Sequence, residues 1–297
     1  MNPNLKKGII LAGGMGTRMY PITRTACKQL LPVYDKPLVY YPLATLMQFG
    51  ITDILLISTH QDTPRFKELL GDGNTLGIRI TYKIQEKPEG IAQALIIAEE
   101  FIGDDNIVLI LGDNIFYDVA DFVRMTESFS GGAMIFGYAV DNPGRYGVLE
   151  FDDSGRAISI EEKPAHPKSD YAVTGLYIYD SEAIKIAKSL KPSERGELEI
   201  TDINRAYLVS GRLIVNRLER GIAWLDTGTH ASMLEAGNFI ETIEKRQGRK
   251  IACLEEIAFR LKYINREDLV KLSRAMPECS YRKYIEKLAR KEPENDK

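Results

Sequence analysis

Three glycines within four positions, Gly13-Gly14-Met15-Gly16, follow directly on the apolar run Ile9-Ile10-Leu11-Ala12 and lead into Thr17-Arg18. Glycine lets the backbone come close to a ligand and turn successive N–H groups on one anion, so such a loop at the end of a buried strand can cradle phosphate. Arg18 and Lys28 come next, a planar guanidinium fork and a compact ammonium, from which two cations can reach a polyphosphate. Gln85, within Gln85-Glu86-Lys87-Pro88-Glu89-Gly90, carries a donor and an acceptor on one amide. It can pair with the N3–H and the neighbouring carbonyl of a pyrimidine, with Gly90 allowing close approach of the backbone. Gly112-Asp113-Asn114 ends another apolar run, and an Asp at such an edge suits a hard cation such as Mg²⁺.

Two other phosphate-binding patterns fail. After Gly14-x-Gly16 the third glycine of the dinucleotide fingerprint is replaced by Met19, and Pro21 soon breaks any helix, which argues against a nicotinamide dehydrogenase. No Walker Gly-x-x-x-x-Gly-Lys-[Ser/Thr] occurs. His60, His166 and His230 are scattered, as are Cys27, Cys253 and Cys279, so structural or surface roles are expected for the histidines and neither a disulfide framework nor a zinc site for the cysteines.

These residues need elements to hold them. The runs at 9–12, 54–57 and 107–111 show no polar alternation and read as strands buried on both faces. A more polar strand near 79–84 belongs nearer an edge. Helical patterns lie between: residues 40–49, stopped by Gly50, and one carried by Ile91, Leu95, Ala98 and Ile102. Strand alternating with helix means a parallel sheet covered by helices, and open sheets of that kind bind ligands at the carboxyl ends of their strands. From Gly132 the pattern changes to strand-like segments at 133–140, 146–151, 157–162 and 173–179, divided by turn signals such as Asn142-Pro143-Gly144. They are expected to extend the same sheet, some antiparallel, with helices near 181–189 and 199–210 and a long helix over 229–246 that ends at Gly248. Past residue 250 come three short, charged helical patterns at 255–261, 266–275 and 281–290, and residues 292–297 are expected to fray.

The 297 residues are 44% hydrophobic and carry a net charge of −3, a globular composition with no overall positive field, so a general nucleic-acid binder is not expected. The longest charge-free stretch, 37–52, is interrupted by Pro42 and is too short to span a membrane. No signal peptide is read at the start, and the cytoplasm is the expected compartment.

The chain resembles the sugar-1-phosphate nucleotidyltransferase family. Gly13-Gly14-Met15-Gly16-Thr17-Arg18 with Pro21 and Lys28-Gln29-Leu30-Leu31-Pro32 is similar to its signature. Gly112-Asp113-Asn114, Glu161-Glu162-Lys163-Pro164, the run from Gly196 to Asp202 and Trp224-Leu225-Asp226-Thr227-Gly228-Thr229 continue the likeness in order. The Asp-Asn-Ile-Phe-Tyr at 113–117 resembles the branch that handles thymidine nucleotides. The resemblance implies a three-layer, Rossmann-like α/β fold with one mixed, mostly parallel sheet. It implies transfer of a thymidylyl group from dTTP to α-D-glucose 1-phosphate with Mg²⁺, giving dTDP-glucose and pyrophosphate for deoxysugars such as dTDP-rhamnose. A homotetramer with feedback inhibition by a dTDP-sugar is also implied.

Carried over residue by residue, the nucleotide side would comprise Gly13, Gly14, Gly16, Thr17, Arg18, Lys28, Gln29, Gln85, Gly90 and Asp113. The sugar-phosphate side would comprise Asn114, Gly147, Glu162, Lys163, Val173 and Arg195, and Asp113 with Asp226 would hold the metal. Arg18, Lys28, Asp113 and Lys163 would carry catalysis. The expected organisation is a catalytic domain over 1–250, with its nucleotide side at about 1–131 and its sugar side at about 132–250, followed by a helical appendage over 251–297.

Other readings remain at this level. Asp226 could instead cap the helix that follows, although Thr227 and Thr229 sit closer to that task. Trp224 is expected to pack beneath the site, and Tyr177 stays open. UTP or another triphosphate could replace dTTP. A silent nucleotide-sugar sensor is the alternative of another class, but it has no need of Arg18, Lys28, Asp113, Lys163 and Asp226 together.

Overall fold

The computed structural model describes residues 2–14 and 16–290, so the end at 292–297 lies outside the described residues. In chain order the first half runs through β1 (Leu5–Ala12), the small hairpin β2 (Pro32–Val33) and β3 (Lys36–Pro37), α1 (Tyr40–Gln48), β4 (Asp53–Ser58), α2 (Thr63–Leu70), β5 (Arg79–Ile84), α3 (Gln93–Ile97), α4 (Glu99–Ile102), β6 (Asn106–Leu111), β7 (Asn114–Tyr117) and α5 (Ala120–Thr126). β1 pairs in parallel with β4 and β6, and β4 with β5, giving the spatial order β6-β1-β4-β5. Ile9, Leu11, Leu55, Ile57, Ile107 and Leu109 face one helical layer, while Ile10, Ala12, Ile54, Leu56, Val108 and Ile110 face the other. Burial on both faces explains the continuous apolar runs. β5 is the edge strand and half-buried over most of its length, as its polar sequence implies.

The single helix expected over Ile91 to Ile102 is instead two, divided at Ala98, which with φ −86° and ψ 0° ends the first and begins the second. Leu95, Ala98 and Ile102 still lie in one cluster, because the apolar period reports the buried face and not the continuity of the turns.

The second half contains β8 (Ala133–Ala139), β9 (Gly147–Phe151), β10 (Ala157–Glu162), β11 (Tyr171–Tyr179), α6 (Glu182–Ser189), α7 (Ile200–Val209), β12 (Leu213–Arg217), β13 (Ala223–Asp226), α8 (His230–Gln247), α9 (Leu254–Arg260), α10 (Arg266–Ala275) and α11 (Ser280–Arg290). β11 carries the join: it runs antiparallel to β6 through residues 176–179 and antiparallel to β8 on its other side. β9 and β10 form a hairpin attached where Ala172 meets Val148, and β12 adds in parallel to β8. The outcome is one mixed nine-stranded sheet with helices on both faces.

Two features escaped the sequence reading. β7 and β13 pair as a separate antiparallel ribbon, with Asn114 opposite Asp226. α9, α10 and α11 place Cys253, Leu254, Ile257, Ala258, Leu269 and Ile285 in the same apolar cluster as Leu43, Ala44 and Met47 of α1. Their polar anchors are Tyr281 and Tyr284, whose hydroxyls donate to Glu255 and Glu256 at 2.6 and 2.5 Å.

Candidate active site

The glycine loop leaves β1 at the centre of the sheet. Ala12 O accepts from the Ser58 hydroxyl at 3.0 Å and Ser58 O from Gln85 N at 2.8 Å, so the ends of β1, β4 and β5 are stitched together. A Cβ on Gly13 would lie 2.1 Å from Gln85 Oε1, and Gly16 adopts φ 55° at the start of the turn that carries Thr17 and Arg18. A side chain at Gly13 would have to displace the end of Gln85, and the left-handed backbone of Gly16 disfavours any side chain. Gly14 and Gly90 also take positive φ. A Cβ on Gly90 would meet the carbonyl of Leu198 at 2.3 Å, so the absence of a side chain there lets the backbone of Leu198 approach.

The next stretch, built of short 3₁₀ turns without side-chain caps, brings Lys28 and Gln29 into the interior. It is held from outside. Asp62, buried at the start of α2, accepts from Cys27 N at 3.3 Å through Oδ1 and from the Thr59 hydroxyl at 2.8 Å through Oδ2, while Arg65 donates to Thr25 O at 2.6 Å. Burial, then the Asp62 carboxylate, pushes the Cys27 thiol up to about 12, so it stays neutral beside Lys28. Gln29 is 3% exposed and its Oε1 has no hydrogen-bond partner, a buried acceptor left for an incoming donor.

Lys28 forms an ion pair with Asp113, which also accepts from Asn114 Nδ2 at 3.0 Å. Burial works to raise the Asp113 carboxyl, but the Lys28 ammonium and these hydrogen bonds more than offset it and hold the group below the ordinary carboxylate range. Asp226 is brought to the same place by the β7–β13 pairing, reinforced by Thr227 N and its hydroxyl donating to Asp113 O at 3.1 and 2.8 Å. Burial, and next the charge of Asp113, raise the Asp226 carboxyl. Asp226 is not a helix cap: Thr229 and Ser232 make the capping box of α8. Asn114 spends its amide inward, Oδ1 accepting from Gly175 N at 3.0 Å and from Trp224 Nε1 at 2.6 Å. Trp224 packs beneath the site with its ring against Tyr138 and Tyr146.

A cavity of about 460 Å³ is lined by Arg18, Asp113 and Asn114 from the first half of the chain and by Gly147, Glu162, Lys163, Val173, Thr201 and Asp226 from the second. Glu162 accepts from the Thr201 hydroxyl at 2.5 Å and lies 3.4 Å from Lys163 Nζ. Lys163 has φ 44° and its N–H donates to Tyr146 O at 2.9 Å, pinning the end of β10 beside β9. Arg195 stands outside this wall, bridging Glu199 at 2.8 Å, Glu197 at 3.1 Å and Glu162 at 3.4 Å. The loop residues Gly13, Gly14, Gly16 and Thr17, with Lys28, Gln29, Gln85 and Gly90, also lie outside it, joined to it through Arg18 and the Lys28–Asp113 pair. Tyr177 is in the wall, its hydroxyl kept neutral by burial.

Arg145 and Tyr146 were missed. Arg145 Nη2 lies 3.5 Å from Asp226 Oδ2 and the Tyr146 hydroxyl donates to the same oxygen at 3.2 Å, so Asp226 already has a cation and a donor. The turn Asn142-Pro143-Gly144 was visible in the sequence, but nothing local says that it delivers the next two residues to a carboxylate eighty positions away.

The polar lining, two converging carboxylates and a ring of cations suit chemistry on phosphates, and comparison with known proteins agrees. A family model described as nucleotidyl transferase matches residues 7–243. Glucose-1-phosphate thymidylyltransferase of Neisseria meningitidis serogroup A / serotype 4A is 56% identical over 287 residues, covering 96% of this chain and 100% of that protein. The protein of the same name from Mycobacterium tuberculosis (strain CDC 1551 / Oshkosh) is 54% identical, covering 94% and 97%. A Bacillus anthracis chain solved with a sucrose superposes with TM-score 0.74 at 46% identity over 79% of this chain and 94% of its own. UDP-glucose pyrophosphorylase solved with UDP-glucose shares the fold at 23% identity, with TM-score 0.72 over 80% of this chain and 99% of its own. Signature, sheet, cavity and relatives therefore agree, and this chain, an enzyme, belongs to the nucleotidyl transferase family.

Proposed function

We propose that the enzyme transfers a thymidylyl group from dTTP to α-D-glucose 1-phosphate, releasing pyrophosphate. The observation that carries this reading is the cavity itself, where Arg18 and Asp113 from the first half of the chain meet Glu162, Lys163, Thr201 and Asp226 from the second. A phosphate oxygen of the sugar phosphate attacks the α-phosphorus; the bond from that phosphorus to the oxygen bridging the β-phosphate breaks, and pyrophosphate leaves with the electron pair. Two polyanions must meet for this, so cations positioned in advance carry most of the catalysis. Arg18 and Lys28 neutralise the triphosphate, Lys163 with Arg195 behind it receives the sugar phosphate, and Glu162, Gly147 and Val173 contact the sugar.

Asp113 and Asp226 suit a divalent cation. They are buried like charges, one raised by the other, and Mg²⁺ commonly takes one or two carboxylates while water and phosphate oxygens complete its shell. When bound, Mg²⁺ draws charge from the α-phosphate. Pyrophosphate release measured across the four common nucleoside triphosphates and several sugar 1-phosphates tests the reading; release that needs no sugar phosphate, or none with dTTP and glucose 1-phosphate, rejects it.

The same reading assigns residues 1–131 to the nucleotide side, 132–250 to the sugar side and the later helices to regulation. Feedback inhibition by a dTDP-sugar is supported by a second cavity of about 530 Å³, with Tyr117, Lys250, Glu256 and Arg260 on its wall. Assembly as a homotetramer is supported by the exposed Ile22, Tyr34 and Leu234, which line one groove. Among the described residues no helix is long and apolar enough to cross a membrane. A cytoplasmic location is supported by three free thiols.

A further inference from the structure

Gln85 is joined to Gln93 and Glu89 by hydrogen bonds whose direction chemistry dictates. A carboxylate can only accept and a backbone N–H can only donate. Gln93 meets one of each from Glu89: its Nε2 donates to Glu89 Oε2 at 2.8 Å, and its Oε1 accepts from Glu89 N at 3.2 Å. The two ends of this amide are therefore distinguished by groups that have no second choice. Gln93 Oε1 also accepts from Gln85 Nε2 at 2.6 Å. Gln85 must then turn its Oε1 the other way, against Gly13, at the spot where a Cβ on that glycine would stand 2.1 Å from it. No donor among the described residues meets that oxygen, although Gln85 is only 4% exposed. Glu89 is itself anchored: its carbonyl accepts from Leu198 N at 2.7 Å, and Ala92 N donates to Leu198 O at 3.1 Å.

We propose that Glu89 and Gln93 are positioning residues that set the hydrogen-bond polarity of Gln85, so that the nucleotide loop presents an acceptor to the ring nitrogen of the base. This rests on the reading of Gln85 as the base contact. An acceptor at that point pairs with thymine or uracil, whose N3 carries hydrogen, and opposes cytosine, whose N3 is itself an acceptor. The second hydrogen of Gln85 Nε2 remains for the neighbouring carbonyl of the base.

The test is the ratio of kcat/KM for dTTP to that for dCTP, each pair measured on one preparation so that the folded fraction cancels. The wild-type enzyme should favour dTTP by about 5-fold to 150-fold, the discrimination of a good bidentate pair. Gln93→Leu releases Gln85 and should bring the ratio toward parity. Gln93→Lys pairs with Glu89 and can only donate to Gln85, which turns the amide round and should shift preference to dCTP. Gln93→Glu keeps the acceptor and should keep the preference for dTTP. Calorimetric binding of the two nucleotides supplies the same ratio for any variant without turnover. A selective wild type whose ratio is unchanged by both Gln93→Leu and Gln93→Lys would overturn the relay alone. A wild type that used dCTP as readily as dTTP would overturn the assignment of Gln85 to the base, and the relay with it.

Discussion

Lys163 sits at φ 44° with its N–H given to Tyr146 O, so its backbone is set before any ligand arrives and its ammonium faces the cavity beside Glu162. A charge-assisted hydrogen bond to phosphate contributes about 1.5–3 kcal/mol, or roughly 10-fold to 150-fold. Lys163→Ala should therefore raise the KM for glucose 1-phosphate by that factor and leave the dTTP KM within a few-fold; an unchanged sugar KM with lost dTTP binding would reverse the assignment of halves. Asp113 and Asp226 invite a different measurement, because the charge of one raises the carboxyl of the other. If both serve one cation, Asp113→Asn and Asp226→Asn should each lower kcat strongly, and the double variant should lose much less than the product of the two effects. Full multiplicativity, or unimpaired turnover in EDTA, would count against a shared ion.

At the scale of elements, the stretch that carries Lys28 has little regular structure of its own. Its position depends on Asp62 and Arg65 from the start of α2, which hold Cys27 N and Thr25 O. Asp62→Ala leaves a buried N–H without its acceptor, a cost of about 1–3 kcal/mol. We expect faster amide exchange over residues 23–31 and a raised triphosphate KM, with Asp62→Asn retaining most of the wild-type behaviour because its carbonyl oxygen still accepts. Exchange in this stretch that stays at the wild-type rate in Asp62→Ala would show that the anchor is dispensable.

Across the whole molecule, one buried charge network ties the β2–β3 hairpin to the end of α8. Lys36, 2% exposed, pairs with Asp35 and lies 2.9 Å from Glu244 Oε1, while Lys250 pairs with Asp35 and lies 3.2 Å from Glu244 Oε2. Lys36→Met leaves a buried carboxylate short of its nearest cation and should lower stability by about 3 kcal/mol, read from denaturant unfolding. The pH dependence has a definite sign. Burial works to raise the Asp35 carboxyl, but Lys250 and Lys36 hold it below the usual 3.8, so its stabilisation is present above that pH and is lost as pH falls through the lower folded value. Burial works to lower Lys250, but Asp35 and Glu244 raise it above 10.5, so its stabilisation is present below that pH and is lost as pH rises through the higher folded value. The stability difference between wild type and Lys250→Met should thus be flat from about pH 5 to pH 9 and shrink beyond both ends. A difference that varied steeply near neutrality would point to other groups.

Much of this was legible in the chain alone, for a physical reason. Strands buried on both faces need unbroken apolar runs, so 9–12, 54–57 and 107–111 disclosed the central sheet. The glycine loop, Arg18 and Lys28 were readable because loop and cations are close in sequence and their chemistry is local. Where Asp113 and Asp226 meet was not a local matter. The β7 and β13 strands are four residues each, too short for a periodic signal, and they pair across more than a hundred positions. Only packing turned the Asn114 amide inward to Gly175 and Trp224, and only packing carried Arg145 and Tyr146 to Asp226. Sequence determined which groups are available and which strands must be buried, since composition and period act locally. Tertiary structure decided which of those groups face one another, since that depends on pairings between distant segments whose energies no single stretch of the chain contains.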